Sequence, residues 1–237
     1  MSAARRPRHF AIVPAAGSGS RLASQIPKQY LDVAGTPMIV RTLQAFAAVG
    51  RIASTLVALA PDDTRFEALG HAMPVRVERC GGATRAATVR EALSRLDAAN
   101  DDWVLVHDAA RCGITPALID TLLDTLADDA VGGLLAIPVA DTVKRAMPRT
   151  DARAEVRVGA TVERAPLWLA QTPQMFRYRV LVAALDSADR EGHQVTDEAS
   201  AVELAGFRPR LVTGSPRNFK VTTPDDLALM HALLSNP

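Results

Sequence analysis

Residues 15–22 read Ala15-Ala16-Gly17-Ser18-Gly19-Ser20-Arg21-Leu22, and Pro27-Lys28-Gln29-Tyr30 follow shortly after. Glycines and small residues let successive backbone N–H groups turn toward one anion, and Arg21 and Lys28 add positive charge, so this spacing points to phosphate binding. Two familiar phosphate loops are excluded. A dinucleotide fingerprint needs a third glycine where Leu22 stands, and a P-loop needs a closing Gly-Lys-Ser/Thr that is missing here. A plain tight turn between strand and helix competes as a reading of Gly17-x-Gly19 alone. Further on, Asp108 follows an apolar run and precedes a loop containing Arg111. That is the carboxyl end of an expected strand, where open α/β sheets bind ligands; an ion pair of Asp108 with Arg111 is the plainer alternative. No Ser/His/Asp or Cys/His arrangement stands out, and no cluster has zinc-ligand spacing. The chemistry within reach is charge neutralisation and positioning.

Groups so far apart in sequence need a scaffold. Short apolar, β-branched runs alternate with longer segments of helical period, the pattern of an α/β protein with a mostly parallel sheet. Strands are expected at 9–15, 54–60, 75–79, 103–107 and 133–139. A helix over 116–128 has Thr115 as N-cap and Pro116 at its first position, with Leu118, Ile119, Leu122, Leu123 and Leu126 on one face. Thr223-Pro224-Asp225-Asp226 repeats that start signal for the last helix, whose stripe is Leu227, Met230 and Leu234. These stripes read as core. Residues 140–163 are charged and weakly apolar, with alternating runs around a polar tip, and predict a β-hairpin arm projecting from the domain. So little apolar content cannot bury itself alone, so packing against a second subunit is expected. The chain then returns to the sheet at 167–171 and 210–212. One domain over 1–237, with 140–163 as a dimerisation arm, is the organisation expected.

With 237 residues, 48% hydrophobic and 22% charged, the chain is long enough and apolar enough for a sizeable core. Lys plus Arg (27) nearly balances Asp plus Glu (26), so no global basic field favours nucleic acid, and a bound anion must be held by a local cluster of cations. No apolar run approaches the roughly 20 residues of a membrane span, and no signal-peptide pattern precedes the first strand. Arg5, Arg6 and Arg8 read as a solvated tail, with an anion-binding arm as the alternative. Cys80 and Cys112 flank loops of interest and are expected to be reduced, in a cytoplasmic setting. Cys112 is expected at the rim of the site.

The full string Ala-Ala-Gly-x-Gly-x-Arg with Pro-Lys resembles the signature of nucleoside-triphosphate transferases that make CDP-alcohols and NDP-sugars. Further strings narrow the resemblance: Gly81-Gly82-Ala83-Thr84-Arg85-Ala86-Ala87-Thr88-Val89, Val106-His107-Asp108-Ala109-Ala110-Arg111, Asp141-Thr142-Val143-Lys144, Thr161-Val162-Glu163-Arg164, Leu169-Ala170-Gln171-Thr172-Pro173-Gln174, Thr196-Asp197-Glu198-Ala199-Ser200 and Phe219-Lys220-Val221-Thr222. Together they resemble the 2-C-methyl-D-erythritol 4-phosphate cytidylyltransferase family of the non-mevalonate isoprenoid pathway, over almost the whole chain. Three departures stand out. Thr88 replaces Ser, Glu163 replaces Asp, and Cys112-Gly113 follows Arg111 where a Pro is common.

The resemblance implies a single Rossmann-like nucleotidyltransferase domain that couples CTP to methylerythritol phosphate and releases pyrophosphate, as a homodimer. It implies that Arg21 and Lys28 stabilise the transition state on the CTP side, with Arg164 and Lys220 holding the incoming phosphate. Ala15, Ala16, Gly17 and Gly19 would line the phosphate loop, and Gly82, Ala83, Arg85 and Thr88 the nucleoside pocket. Asp108, Arg111, Thr142, Thr172 and Thr196 would surround the polyol phosphate, some from the partner's arm, and Asp108 would touch magnesium or another divalent cation. Two plainer readings stand beside these. Thr196 is also a candidate N-cap for the helix that follows, and Lys220 a solvated lysine of a short edge strand. His107 reads as structural. The nearest rival activity is cytidylyl transfer to another polyol phosphate such as ribitol 5-phosphate. A sugar-nucleotide pyrophosphorylase or a catalytically silent nucleotide sensor fits the strings less well.

Overall fold

Four apolar residues in succession, Phe10 to Val13, leave the first strand without a polar face, so it can sit only where both faces of a sheet are covered. All four are between 0% and 5% exposed. The computed structural model describes residues 5–17, 26–70, 73–148, 151 and 155–235. Through them run β1 (His9–Pro14), a 3-10 turn (Lys28–Tyr30), β2 (Asp32–Val33), β3 (Thr36–Pro37), α1 (Met38–Ala47), β4 (Ile52–Ala58), α2 (Arg65–Ala68) and β5 (Val75–Glu78). They continue with α3 (Arg85–Leu93), β6 (Trp103–Val106), α4 (Pro116–Leu126), β7 (Gly132–Pro138), β8 (Val143–Ala146) and β9 (Val158–Val162). The last part holds β10 (Trp168–Arg177), α5 (Tyr178–Arg190), α6 (Glu198–Leu204), β11 (Arg210–Thr213), a second 3-10 turn (Pro216–Asn218) and α7 (Pro224–Ser235).

The seven-stranded sheet has the order β11-β7-β10-β6-β1-β4-β5, with β10 antiparallel to both its neighbours. The mostly parallel α/β sheet expected from the sequence is therefore present. Period-2 alternation sorts the two cores. Ile12, Val104 and Val106 face α3, α5 and α6, while Ala11, Val13 and Leu105 face α1 and α4. Thr115 caps α4 by accepting from the Leu118 amide, with Pro116 at the first position, and Thr223 accepts from the Asp226 amide at the start of α7. In α4, Ile119, Leu122, Leu123 and Leu126 are fully buried; truncating any one to Ala should cost about 2–5 kcal/mol.

Two expectations are corrected. The strand expected over 167–171 is the long β10, which loses register on β7 between Ala170 and Gln174 and then resumes. Arg5 and Arg8 do not hang free in solvent as a tail would, for both grip the buried Asp102 carboxylate, Arg5 Nη2 at 2.7 Å and the Arg8 amide at 2.8 Å, while Arg6 is exposed as expected. Burial would raise the Asp102 pKa, but the Arg8 amide, the Arg5 guanidinium and the Ala99 amide overcome it and bring it down to about 2. A depressed folded-state pKa contributes stability above the unfolded value of about 3.9 and loses it as pH falls toward the folded value. Asp102→Asn should therefore cost on the order of 2 kcal/mol at pH 7, with the gap to the native protein closing between about pH 4 and 2 in urea titrations.

The arm forms as expected. β8 and β9 pair antiparallel in a two-stranded sheet of their own, Val143 opposite Val162. Its apolar side chains stay in solvent: Met147, Val156 and Val158 are 54–63% exposed.

Candidate active site

β1 and β6 lie side by side and parallel, but the chain leaves them toward opposite edges, β1 continuing to β4 and β6 to β10 and β7. Crevices at such a reversal, outside the carboxyl ends of the strands, are where ligands bind in open α/β sheets. A cleft of about 580 Å³ opens there. One wall is the loop from β1, Ala15 to Gly17, with Lys28 and Gln29; the buried Gln29 amide donates to the Ala15 carbonyl at 2.8 Å and ties the two together. The second wall is the Gly82–Thr84 turn and the start of α3. Gly81 sits so close to the first wall that a Cβ would come within 2.4 Å of Ala16 Cβ and 2.9 Å of the Leu59 carbonyl oxygen, so only glycine lets the two loops touch. Thr84 caps α3, and the Thr88 hydroxyl accepts from the Gly82 amide and donates to the Thr84 carbonyl, each at 3.0 Å. Asp108, Ala109, Ala110, Lys220 and Thr222 close the cleft.

Its charge is concentrated on one carboxylate. Asp108 Oδ1 accepts from Arg85 Nε at 2.8 Å, and Oδ2 lies 2.7 Å from Lys220 Nζ and 3.9 Å from Arg111 Nε. Burial would push the Asp108 pKa up, but Arg85 and then Lys220 hold it well below the ordinary carboxylate range, so Asp108 is ionised at any working pH. Arg85 has a second anion, Glu198, gripped through Nη1 at 2.7 Å and Nη2 at 3.1 Å. Arg85, Arg111 and Lys220 against Asp108 and Glu198 leave an excess positive charge, before Lys28 is added, in a chain with formal net charge +1. This is the local cationic cluster that a balanced composition required.

Behind it, Thr172 is buried with its hydroxyl turned inward rather than lining the cleft. It accepts from the Asp108 amide at 3.0 Å and contacts His107 Nδ1 at 3.0 Å, while His107 Nε2 faces the Arg111 carbonyl at 3.3 Å. The assignment that satisfies all three has the proton on Nε2. Burial lowers the His107 pKa to about 4, so the ring is neutral and structural, as expected. Thr172, expected among the substrate residues, is here the support of Asp108.

Other expected residues are placed differently. Lys220 is not on an edge strand; it follows the 3-10 turn Pro216–Asn218 and is fixed by the Val221 amide donating to the Ala110 carbonyl at 2.8 Å. Arg111 donates to the carbonyls of Asn218 and Ala170 at 2.9 and 3.2 Å, leaving Nε buried without a hydrogen-bond partner. Thr196 is not the cap of α6; Asp197 is, accepting from the Ser200 amide. Thr142, Arg164 and Thr196 are exposed and do not line the cleft of their own chain, and Arg164 donates to the Ala140 carbonyl at the base of the arm. Cys112 is not at the rim. It is 4% exposed, packed with Val33, Met38 and Met230, and burial pushes its thiol up to about 11. Gly113 presses on the segment before Lys220, where a Cβ would meet the Arg217 carbonyl oxygen at 2.1 Å, so a glycine is needed there. Gly19 and Arg21 lie outside the described residues. Glu198, Gln29 and Gln174 were not anticipated. Glu198 stood inside a quoted string, and the signal was a carboxylate in the first turn of a helix that packs on the core.

Among the described residues no group of three or more His, Cys, Asp or Glu is placed to hold a metal. A single carboxylate at this cleft nonetheless fits magnesium, which is usually held by one or two carboxylates together with substrate phosphates. Asp108 is the carboxylate that lines it.

The pattern of the 2-C-methyl-D-erythritol 4-phosphate cytidylyltransferase family matches residues 9–236. The chain belongs to that family. It is 54% identical over 235 residues, 98% of each chain, to the enzyme so named from Burkholderia vietnamiensis, and 56% identical over 230 residues, 96% of each, to that of Laribacter hongkongensis. A crystal structure of a 4-diphosphocytidyl-2C-methyl-D-erythritol synthase superposes with TM-score 0.83 at 37% identity, covering 97% of this chain and 100% of the other. The Thermus thermophilus cytidylyltransferase gives TM-score 0.77 at 32% identity, covering 95% and 98%. Membership in the cytidylyltransferase family makes the chain a nucleotidyltransferase of isoprenoid biosynthesis.

Proposed function

We propose that this protein transfers CMP from CTP to 2-C-methyl-D-erythritol 4-phosphate, giving 4-diphosphocytidyl-2-C-methyl-D-erythritol and pyrophosphate. The observation that carries the reading beyond family membership is the convergence of Arg85, Arg111 and Lys220 on Asp108 at the mouth of a cleft walled by the two glycine-containing loops.

The chemistry asks for no general base. The second pKa of a phosphate monoester is about 6, so the acceptor oxygen is already anionic at neutral pH. It attacks the α-phosphorus of CTP in line, and pyrophosphate departs. The obstacle is repulsion between two anions, and positioning by fixed cations removes it. Lys28 and Arg21 take the CTP side, where charge builds on non-bridging and leaving oxygens. Lys220 and Arg164 take the acceptor phosphate, with Arg111, Thr142 and Thr196 around it, while Gly82, Ala83 and Arg85 border the nucleoside. Asp108 would be the protein's ligand for magnesium, which would add further charge neutralisation.

Pyrophosphate release with each nucleoside triphosphate, against methylerythritol phosphate and ribitol 5-phosphate, tests this directly. CTP with methylerythritol phosphate should exceed every other pair by at least tenfold. Equal or faster turnover of ribitol 5-phosphate would replace the acceptor in this assignment.

A homodimer with exchanged arms accounts for two observations together: the exposed Met147, Val156 and Val158 of the arm, and the remoteness of Thr142 and Arg164 from their own cleft. Mixing Lys28→Ala and Thr142→Ala proteins after dissociation tests it. If the arm serves the partner's site, each mixed dimer has one site with both lesions and one with neither, so activity returns. No recovery despite demonstrated subunit exchange would place Thr142 in its own site or in none. Among the described residues no helix is long and apolar enough to cross a membrane. Cys80 and Cys112 are buried and unpaired, which supports a reducing, cytoplasmic setting.

A further inference from the structure

Glu198 opens α6 and is 1% exposed, with both carboxylate oxygens spent on Arg85. The remaining edge of that guanidinium points the other way, Nε donating to Asp108 Oδ1 at 2.8 Å. A guanidinium is a rigid planar fork, so a two-point grip on Nη1 and Nη2 fixes the direction of the Nε–H bond. Glu198 is itself held in place. Asp197 and Ser200 form a reciprocal cap at the start of α6. From β10, the buried Gln174 accepts from the Ala199 amide at 2.7 Å and donates to Asp197 Oδ2 at 2.8 Å. A connected series of short polar contacts thus runs from the sheet through the first turn of α6 to Arg85, and ends on the carboxylate where Lys220 also rests.

Stability alone does not call for such an arrangement, because buried ion pairs are commonly replaceable by apolar side chains of similar volume without loss. Charge accounting does call for it. Without Glu198, one carboxylate would be the sole counter-ion of Arg85, Arg111 and Lys220. With it, Arg85 divides its charge between two anions. We propose that Glu198 is a positioning residue for cytidylyl transfer, holding the Arg85 guanidinium in the orientation that fixes Asp108 at the cleft. This rests on the catalytic reading given above.

Two experiments on the full-length enzyme separate the proposal from that reading. The first needs no substrate. In native protein the Arg85 side-chain Hε signal should be protected from exchange with solvent, and in Glu198→Gln it should exchange at least tenfold faster. Unchanged protection overturns the proposal whatever the enzyme turns over. The second is pyrophosphate release. Glu198→Gln should lower kcat by roughly 10–100-fold, and adding it to Arg85→Met should cost less than a further twofold, since the residue it acts through is gone. Independent, multiplying losses in that pair would assign Glu198 to the fold and overturn the proposal. Should Gln at 198 prevent folding, Glu198→Asp keeps the charge but draws the fork back by one methylene. It should give an intermediate loss in both readouts; native behaviour in both would be equally fatal.

Discussion

Lys28→Ala is expected to reduce turnover by roughly 10²–10³-fold, the effect of deleting one preorganised donor from a developing anion. The turn that carries it is anchored by its neighbours. Gln29 donates to the Ala15 carbonyl at 2.8 Å, and the Tyr30 hydroxyl donates to Asp63 Oδ2 at 2.8 Å. Both anchors remain in the variant, so the backbone of the turn should hold its place. Charge on the departing pyrophosphate rises only as the bond breaks, so kcat should fall further than the KM for CTP rises. Lys28→Arg keeps the charge but spreads it over a planar fork and should recover only part of the loss. Near-normal turnover in the Ala variant would remove Lys28 from the reaction.

Asp108→Asn should be costly to both fold and activity. It removes the anion that Arg85, Lys220 and Arg111 share, leaving buried cations short of partners, which typically costs about 3–5 kcal/mol. The native carboxylate titrates far below the ordinary range. Its contribution is therefore complete above the unfolded pKa of about 3.9 and fades as acid protonates it. The difference between the two proteins in urea titrations should be full at pH 7 and should begin to shrink below about pH 4. Activity should fall as well, because Arg85 and Lys220 lose the anion that fixes their positions at the cleft. An Asn variant as stable as the native protein at pH 7 would mean that the three cations find other counter-ions.

How far the sequence revealed this site depended on how local each signal was. β1 and α4 were legible because burial on both faces and a Thr-Pro cap are written in adjacent residues. The second strand begins earlier than its apolar pattern suggested, at Ile52, because pairing with His9 extends it. β10 was cut short at Gln171 because Thr172-Pro173 reads as a break; Met175 and Phe176 carry the strand on by burying in the two cores. At the site, the glycine-rich loop with Arg21 and Lys28 suggested an anion from residues close together in sequence, although Gly17-x-Gly19 alone also fitted a tight turn. The meeting of Asp108, Lys220 and Arg85 did not, since no local rule links residues so far apart, and only the family strings placed them together. The grip of Glu198 on Arg85 and the inward turn of Thr172 could not be read from those strings, because they depend on which way a buried side chain points. Cys112 was misplaced for the same reason. It follows Arg111, but its side chain enters the apolar cluster beneath α7.

The separation of Arg85 from Glu198 along the chain has a consequence for how the protein is made. The two are 113 residues apart, and ribosomes add roughly 5–20 residues per second. An emerging chain therefore carries Arg85 without its principal counter-ion for roughly 6–23 s. Asp108 appears within that interval but must wait for Lys220, close to the end of translation. Two-state folding slows as contacts become less local, and here the late contacts are the ones that balance the charge of the cleft. A nascent chain short of residue 198 has a cationic half-site that cannot be buried without a heavy desolvation penalty. The domain should therefore close only when the polypeptide is nearly complete, and a chain ended before residue 198 should be cut by a protease faster than the full-length protein.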